Sequence, residues 1–166
     1  TDKATIEGHI HMLETAGLHP AAVDAVPCAL FRSVQSTLRR QEDQNQVTVF
    51  VEVASNCTTV VIGRGQEIAF IKQIPIGGEQ LNAEVAGRLG IELAEAALLR
   101  EKLRNGADES IDAATRQAAM DAMAQTVEGL AREVSLCFRY YTVTFRGERP
   151  AEVHFAGGEA QEASLI

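Results

Sequence analysis

The chain has 166 residues, 46% of them apolar, and a formal charge of −8 from 15 basic and 23 acidic side chains. That length suits one ordinary domain or two small lobes around a real core. The acidic balance excludes a nucleic-acid binder and disfavours direct contact with an anionic membrane, because both need a basic face.

No apolar run approaches the roughly 20 residues of a membrane span. Cys28, Cys57 and Cys137 are widely spaced and form no CxxC pair, so neither a disulfide framework nor a zinc site is indicated. A reducing, cytoplasmic setting follows. His9 and His11 resemble a chelate, but two residues apart in a helical pattern they face different sides.

Ile6, Ile10, Leu13 and Gly17 recur at helical spacing, with Gly17 as the terminator. The pattern starts so abruptly that the chain reads as a piece cut from a longer protein. Val23 to Val26 predicts a short strand closed by Pro27. A second helix carries Leu30, Phe31, Val34 and Leu38 on one side and ends near Arg39 and Arg40, where positive charge suits the dipole. Gln41 to Gln46 reads as a linker.

The period then changes to two. Val47, Val49, Val51 and Val53 alternate with Thr48, Phe50, Glu52 and Ala54. A turn at Ser55-Asn56-Cys57 leads to a strand from Thr58 to Ile62, and a turn at Gly63-Arg64-Gly65 to another from Glu67 to Ile74. These strands predict an antiparallel meander, ended by Pro75 and Gly77-Gly78.

A helix after Gly78 has the stripe Leu81, Val85 and Leu89 and stops at Gly90; another spans Glu92 to Leu103. After the loop at Asn105-Gly106, Ser110 is the expected cap of a long helix, with Asp108 and Asp112 favouring its start. It runs from about Ala113 to about Tyr141, roughly 40 Å at 1.5 Å per residue. Its 3,4 pattern is Met120, Met123, Val127, Leu130, Val134, Cys137 and Tyr141. An extended stretch from Val143 to Arg146, a turn at Gly147 to Pro150, a strand at Val153-His154-Phe155 and a helix from Glu159 complete the reading.

Two places join a strand to small residues. Around Glu52, Ser55, Asn56, Cys57 and Thr58, a tight hairpin could let backbone N–H groups approach a phosphate, with Glu52 holding Mg²⁺ through water. At Phe155-Ala156-Gly157-Gly158, glycines ahead of a helix start permit close approach of an anionic ligand. Either motif alone is equally well an ordinary turn. Cys57 has no histidine near it in sequence to act as a base, and Tyr140 and Tyr141 read as packing residues.

The order of elements is more specific. A meander, a helix, an inserted helical segment, a long helix and strand-Gly-Gly-helix resemble the second lobe of an actin-like (RNase H-like) α/β fold. The segments that carry the match are Thr58 to Ile62 with Gly65, Ile74-Pro75-Ile76-Gly77-Gly78-Glu79-Gln80-Leu81, Glu133 to Tyr141, and His154 to Gly158. They resemble the PilM family of type IV pilus assembly proteins, with the cell-division protein FtsA as a relative. The stretch from Ala16-Gly17-Leu18 to Ala29-Leu30 also fits what precedes that lobe.

The resemblance divides the chain into 1–45 as the end of a first lobe, 46–78 with 143–166 as the core of the second, and 79–142 as a helical insertion. It implies a nucleotide site at Glu52, Ser55, Asn56, Cys57, Thr58, Gly77, Gly78, Arg100, Gly157 and Gly158. ATP and Mg²⁺ would bind in a longer protein rather than in this chain alone. It also implies a cytoplasmic scaffold that engages the tail of a PilN-like inner-membrane protein, with no catalytic residue and no membrane insertion of its own. Departures point to a degenerate or weak cleft. Glu52-Val53-Ala54 stands where the family has Asp-x-Gly, and Ala96-Ala97-Leu98-Leu99-Arg100 where it has Ala-Glu-x-Leu-Lys. The family's first phosphate hairpin is not in this sequence. An active ATPase or sugar-kinase relative and an FtsA-like filament former are the alternatives, and self-association through exposed apolar surface is expected.

Overall fold

The computed structural model describes residues 2–35, 46–105, 111–146, 149–150 and 152–162, the side chains of 34 and 35 excepted. Leu38, Arg39, Arg40, most of the 41–46 linker, Gly106, Asp108, Ser110, Gly147 and Glu148 lie outside the described residues.

Helix α1 (Lys3–Thr15) is capped by Asp2, whose carboxylate accepts from the Thr5 amide at 2.8 Å. Those bonds hold the Asp2 carboxyl below the ordinary 3.8, the Thr5 backbone N–H first among them. The helix therefore begins at its own cap rather than in mid-turn. It stops where Gly17 takes φ +80°. His9 and His11 are both exposed on it.

The strand expected at Val23 to Val26 is absent. Helix α2 (Val26–Gln35) starts there, with Pro27 in its first turn, where a missing N–H costs nothing and the ring presets φ.

Strands β1 (Val47–Val53), β2 (Thr58–Arg64) and β3 (Glu67–Ile74) form the expected antiparallel meander. The last strand, β4 (Glu152–Ala156), pairs parallel to β1, giving the order β3-β2-β1-β4. β1 is thus central and buried on both faces, which explains why its valines alternate with residues as apolar as Phe50.

Helices α3 (Gly78–Leu89), α4 (Leu93–Arg104) and α5 (Ala113–Thr144) follow the sequence reading closely. Gly90 ends α3 at φ +66°, and Glu92 with Glu95 forms a capping box on α4. Asp112 caps α5 through the Thr115 amide and hydroxyl. Val143 and Thr144 were expected to be extended. They complete α5, whose last turn closes with the Phe145 amide on the Tyr141 carbonyl, because Tyr141 still has the sheet to pack on. Residues 158–161 form a turn, and the rest of the helix expected from Glu159, at 163–166, lies outside the described residues.

Three clusters hold these layers together. Val47, Val49, Val51, Val53, Val60, Ile62 and Ile74 pack one sheet face on Leu130, Cys137 and Tyr141 of α5. Further back, Ala119 and Met123 of α5 meet Leu81, Val85 and Ala96. One helix therefore serves both the sheet and the α3–α4 pair. Phe31 of α2 covers the other sheet face, edge-on to Phe50 at 6.1 Å between ring centroids. Its ring occupies the space that a Cβ on Gly63 would need, at the bulge between Ile62 and Gly63. Phe31→Ala should cost about 3–5 kcal/mol in a urea melt, because Phe31 is buried at the centre of the cluster that covers that face.

Candidate functional site

In an open α/β sheet, ligands gather at the carboxyl ends of parallel strands. Here that end is formed by Val53 of β1 and Ala156 of β4. Four pieces of chain meet at it: the hairpin 54–57, the start of α3, the turn after β4, and Arg100 of α4.

The hairpin and the start of α3 are tied together by backbone. Ala54 N–H closes the turn on the Cys57 carbonyl at 3.0 Å. The carbonyls of Ala54 and Ser55 then accept from the amides of Gly78 at 3.0 Å and Glu79 at 2.8 Å. Gln80 and Leu81 donate to the Gly77 carbonyl. Three of the four N–H groups that a helix start leaves over, those of Gly78, Glu79 and Gln80, are thereby satisfied within the chain. Thr58 adds a hydroxyl bond to the Ile76 carbonyl at 2.7 Å. Asn56, with its amide nitrogen turned toward α3, donates to both Glu79 carboxylate oxygens, at 3.1 and 2.5 Å.

Gly77 explains why glycine stands in this turn. A Cβ there would lie 2.5 Å from the Ser55 carbonyl oxygen, 2.6 Å from that of Ala54 and 2.7 Å from the Cys57 nitrogen. All three are backbone atoms and cannot swing away. Gly157 serves the other strand. Its φ is +94°, and a Cβ would collide with the Val53 carbonyl. That carbonyl instead accepts from Glu159 N–H at 3.2 Å. Gly158, by contrast, is exposed with nothing near its missing Cβ.

Arg100 is the largest fully buried side chain among the described residues, 1% exposed. Its guanidinium donates to the Gly78 carbonyl at 3.0 Å, to Asn82 Oδ1 at 2.6 Å and to the carboxylates of Glu159 and Glu162. Arg104 donates to the same oxygen of Glu159. Glu52 sits apart from this cluster, opposite Thr59 and beside Ala156 on the sheet face of Phe50.

The sequence-predicted residues Ser55, Asn56, Thr58, Gly77, Gly78, Arg100 and Gly157 thus do converge. Cys57 enters through its backbone. Glu52 and Gly158 lie at the edge of the group. Glu159, Glu162, Asn82 and Arg104 were missed. The available signal was a pair of acids three apart after the glycines, matched by arginines four apart on α4.

The group fits a nucleotide and metal poorly. A phosphate at α3 would have to displace the Ala54 and Ser55 carbonyls from its amides, and Arg100 already holds two carboxylates. No group of three or more His, Cys, Asp or Glu side chains among the described residues could hold a metal ion.

An apolar groove of about 560 Å³ lies elsewhere, between β3 and α5, lined in part by Phe70, Leu136, Cys137, Tyr140 and Val143. Burial pushes the Cys137 thiol up, with Lys72 opposing it. Native alkylation monitored by mass spectrometry should therefore label Cys137 at least tenfold more slowly than the partly exposed Cys28 and Cys57.

The family model described as "Type IV pilus assembly protein PilM" matches residues 1–165. The chain belongs to the PilM family. Among solved structures it is similar to the "PilM-PilN type IV pilus biogenesis complex", with TM-score 0.78 and 18% identity over 96% of this chain and 42% of that one. It is also similar to the ethanolamine utilization protein EutJ from Carboxydothermus hydrogenoformans, with TM-score 0.62 and 20% identity over 93% of this chain and 52% of that one. The PilM-family chain thus spans less than half of one and about half of the other. At these identities the likeness shows the fold alone, a mixed α/β arrangement of the actin-like kind. No curated protein sequence matches significantly. No helix among the described residues is long and apolar enough to cross a membrane.

Proposed function

We propose that this PilM-family chain is part of a cytoplasmic scaffold for type IV pilus assembly, and that its actin-like cleft is degenerate or weak for ATP. The observation that carries this reading is that most donors of the cleft are committed within the chain, the Arg100 Nε excepted. The amides of α3 are spent on the Ala54 and Ser55 carbonyls, and Arg100 is spent on Glu159 and Glu162. Groups so committed offer a nucleotide little without first breaking bonds within the chain. Glu52 is the residue assigned here to hold a metal through water.

The partner side of the reading rests on the family and on the similar structure, a PilM-PilN complex. A PilN-like inner-membrane protein would engage the scaffold through its short cytoplasmic tail and so hold it at the membrane without insertion. The test is a fluorescence titration of a synthetic tail peptide from the cognate PilN-like protein into the full-length protein that carries this chain. Saturable binding that is the same with and without Mg-ATP is expected. Binding that appears only with Mg-ATP would favour a nucleotide-driven machine instead.

A further inference from the structure

We propose that Arg100, Arg104, Glu159 and Glu162 form an internal latch that fastens α4 to the turn after β4, so that the α3–α4 helices and the Gly157 end of the sheet move as one unit without a bound ligand between them. The proposal rests on the scaffold reading to the extent that it puts a side-chain cluster at the mouth of the cleft.

Two positive and two negative charges meet there, so the cluster is neutral within itself. Arg100 spans the gap, with the Gly78 carbonyl and Asn82 on α3 at one end and the two acids at the other. Glu159 is shared, accepting from Arg100 and Arg104 on one oxygen. The cluster is shielded from solvent: the Arg100 side chain is 1% exposed, Glu162 7%, Glu159 13% and Arg104 16%. Screening by salt is therefore weak, and the pairs act at short range in a poorly polarisable surrounding. Glu159 also packs against Gly78, where a Cβ would strike its carboxylate, so the acid helps seat the start of α3.

These contacts fasten α4 to the turn after β4, where the backbone bonds between the hairpin and the start of α3 do not reach. Apolar packing joins α3, α4 and the first half of α5 into one cluster and the sheet with the second half of α5 into another. Moving the helical pair relative to β4 requires withdrawing Glu159 and Glu162 from Arg100, and each carboxylate leaving a buried arginine without replacement is strongly disfavoured.

The test is amide hydrogen exchange read by mass spectrometry on the chain itself, comparing wild type with Glu159→Gln, Arg104→Gln and the double variant. These positions are less buried than Arg100, so the fold should survive. The expected result is at least tenfold faster exchange in 93–104 and 157–162, with β1–β3 unchanged, and a double variant no faster than Glu159→Gln alone. Unchanged exchange in those segments, an equal rise across the sheet, or strictly additive effects would overturn the latch. Mg-ATP binding to the wild-type chain would count against the degenerate cleft and not against the latch, so the two readings fail separately.

Discussion

Arg100→Leu is expected to destabilise the chain by about 3–5 kcal/mol, because it leaves Glu162 buried without a counter-charge and Glu159 with Arg104 alone. Leucine keeps part of the packing volume, so most of the loss is charge and not cavity. Lysine should restore only part of the stability. One ammonium cannot reach the Gly78 carbonyl, Asn82 and two carboxylates with the fork geometry of a guanidinium. Replacing Arg100, Arg104, Glu159 and Glu162 together with apolar residues should recover most of what Arg100→Leu loses, since no charge of the cluster then stands alone. Urea melts of the four proteins check the series. A loss under about 1 kcal/mol for Arg100→Leu would mean that the acids simply turn to solvent.

The second large effect is a contrast between neighbouring glycines. Gly157→Ala should cost about 2–5 kcal/mol, adding the strain of positive φ to a clash with the Val53 carbonyl. Gly158→Ala should change stability by less than about 0.5 kcal/mol, because its Cβ would point into open space. Thermal melts of the two variants separate them at once. Equal effects would contradict the role assigned to Gly157 as the point where the turn crosses β1. The contrast also fixes which glycine is useful in ligand tests: Gly158 can be enlarged without breaking the fold, and Gly157 cannot.

Much of this architecture was legible because the sequence states its periods cleanly. The valines of β1, the 3,4 pattern of α5 and the terminating Gly17 and Gly90 each specify an element on local grounds. Where the reading failed, tertiary packing had overridden a local signal. Pro27 looked like a strand end and proved to be an early helix position. Val143 and Thr144 looked extended because they are branched, yet the helix carries on since Tyr141 anchors its last turn. At the site, glycines and small residues marked the right places. The same signal could not tell a cradle left open for phosphate from one closed by its own carbonyls. That distinction depends on the register between the hairpin and α3, which Gly77 sets by close approach. Arg100 was singled out as a ligand residue from its position in a family pattern. Its actual partners lie 59 and 62 residues further along the chain, a separation at which no local period gives warning.

The most direct measurement is a calorimetric titration of Mg-ATP into this chain and into the full-length protein that carries it, each alongside its Gly158→Val variant. With the first amides of α3 and both terminal nitrogens of Arg100 already committed, the wild-type proteins should give no heat at micromolar nucleotide, and the variant should behave identically. Micromolar binding that Gly158→Val abolishes would contradict the self-satisfied cleft and place a working nucleotide site at the turn after β4.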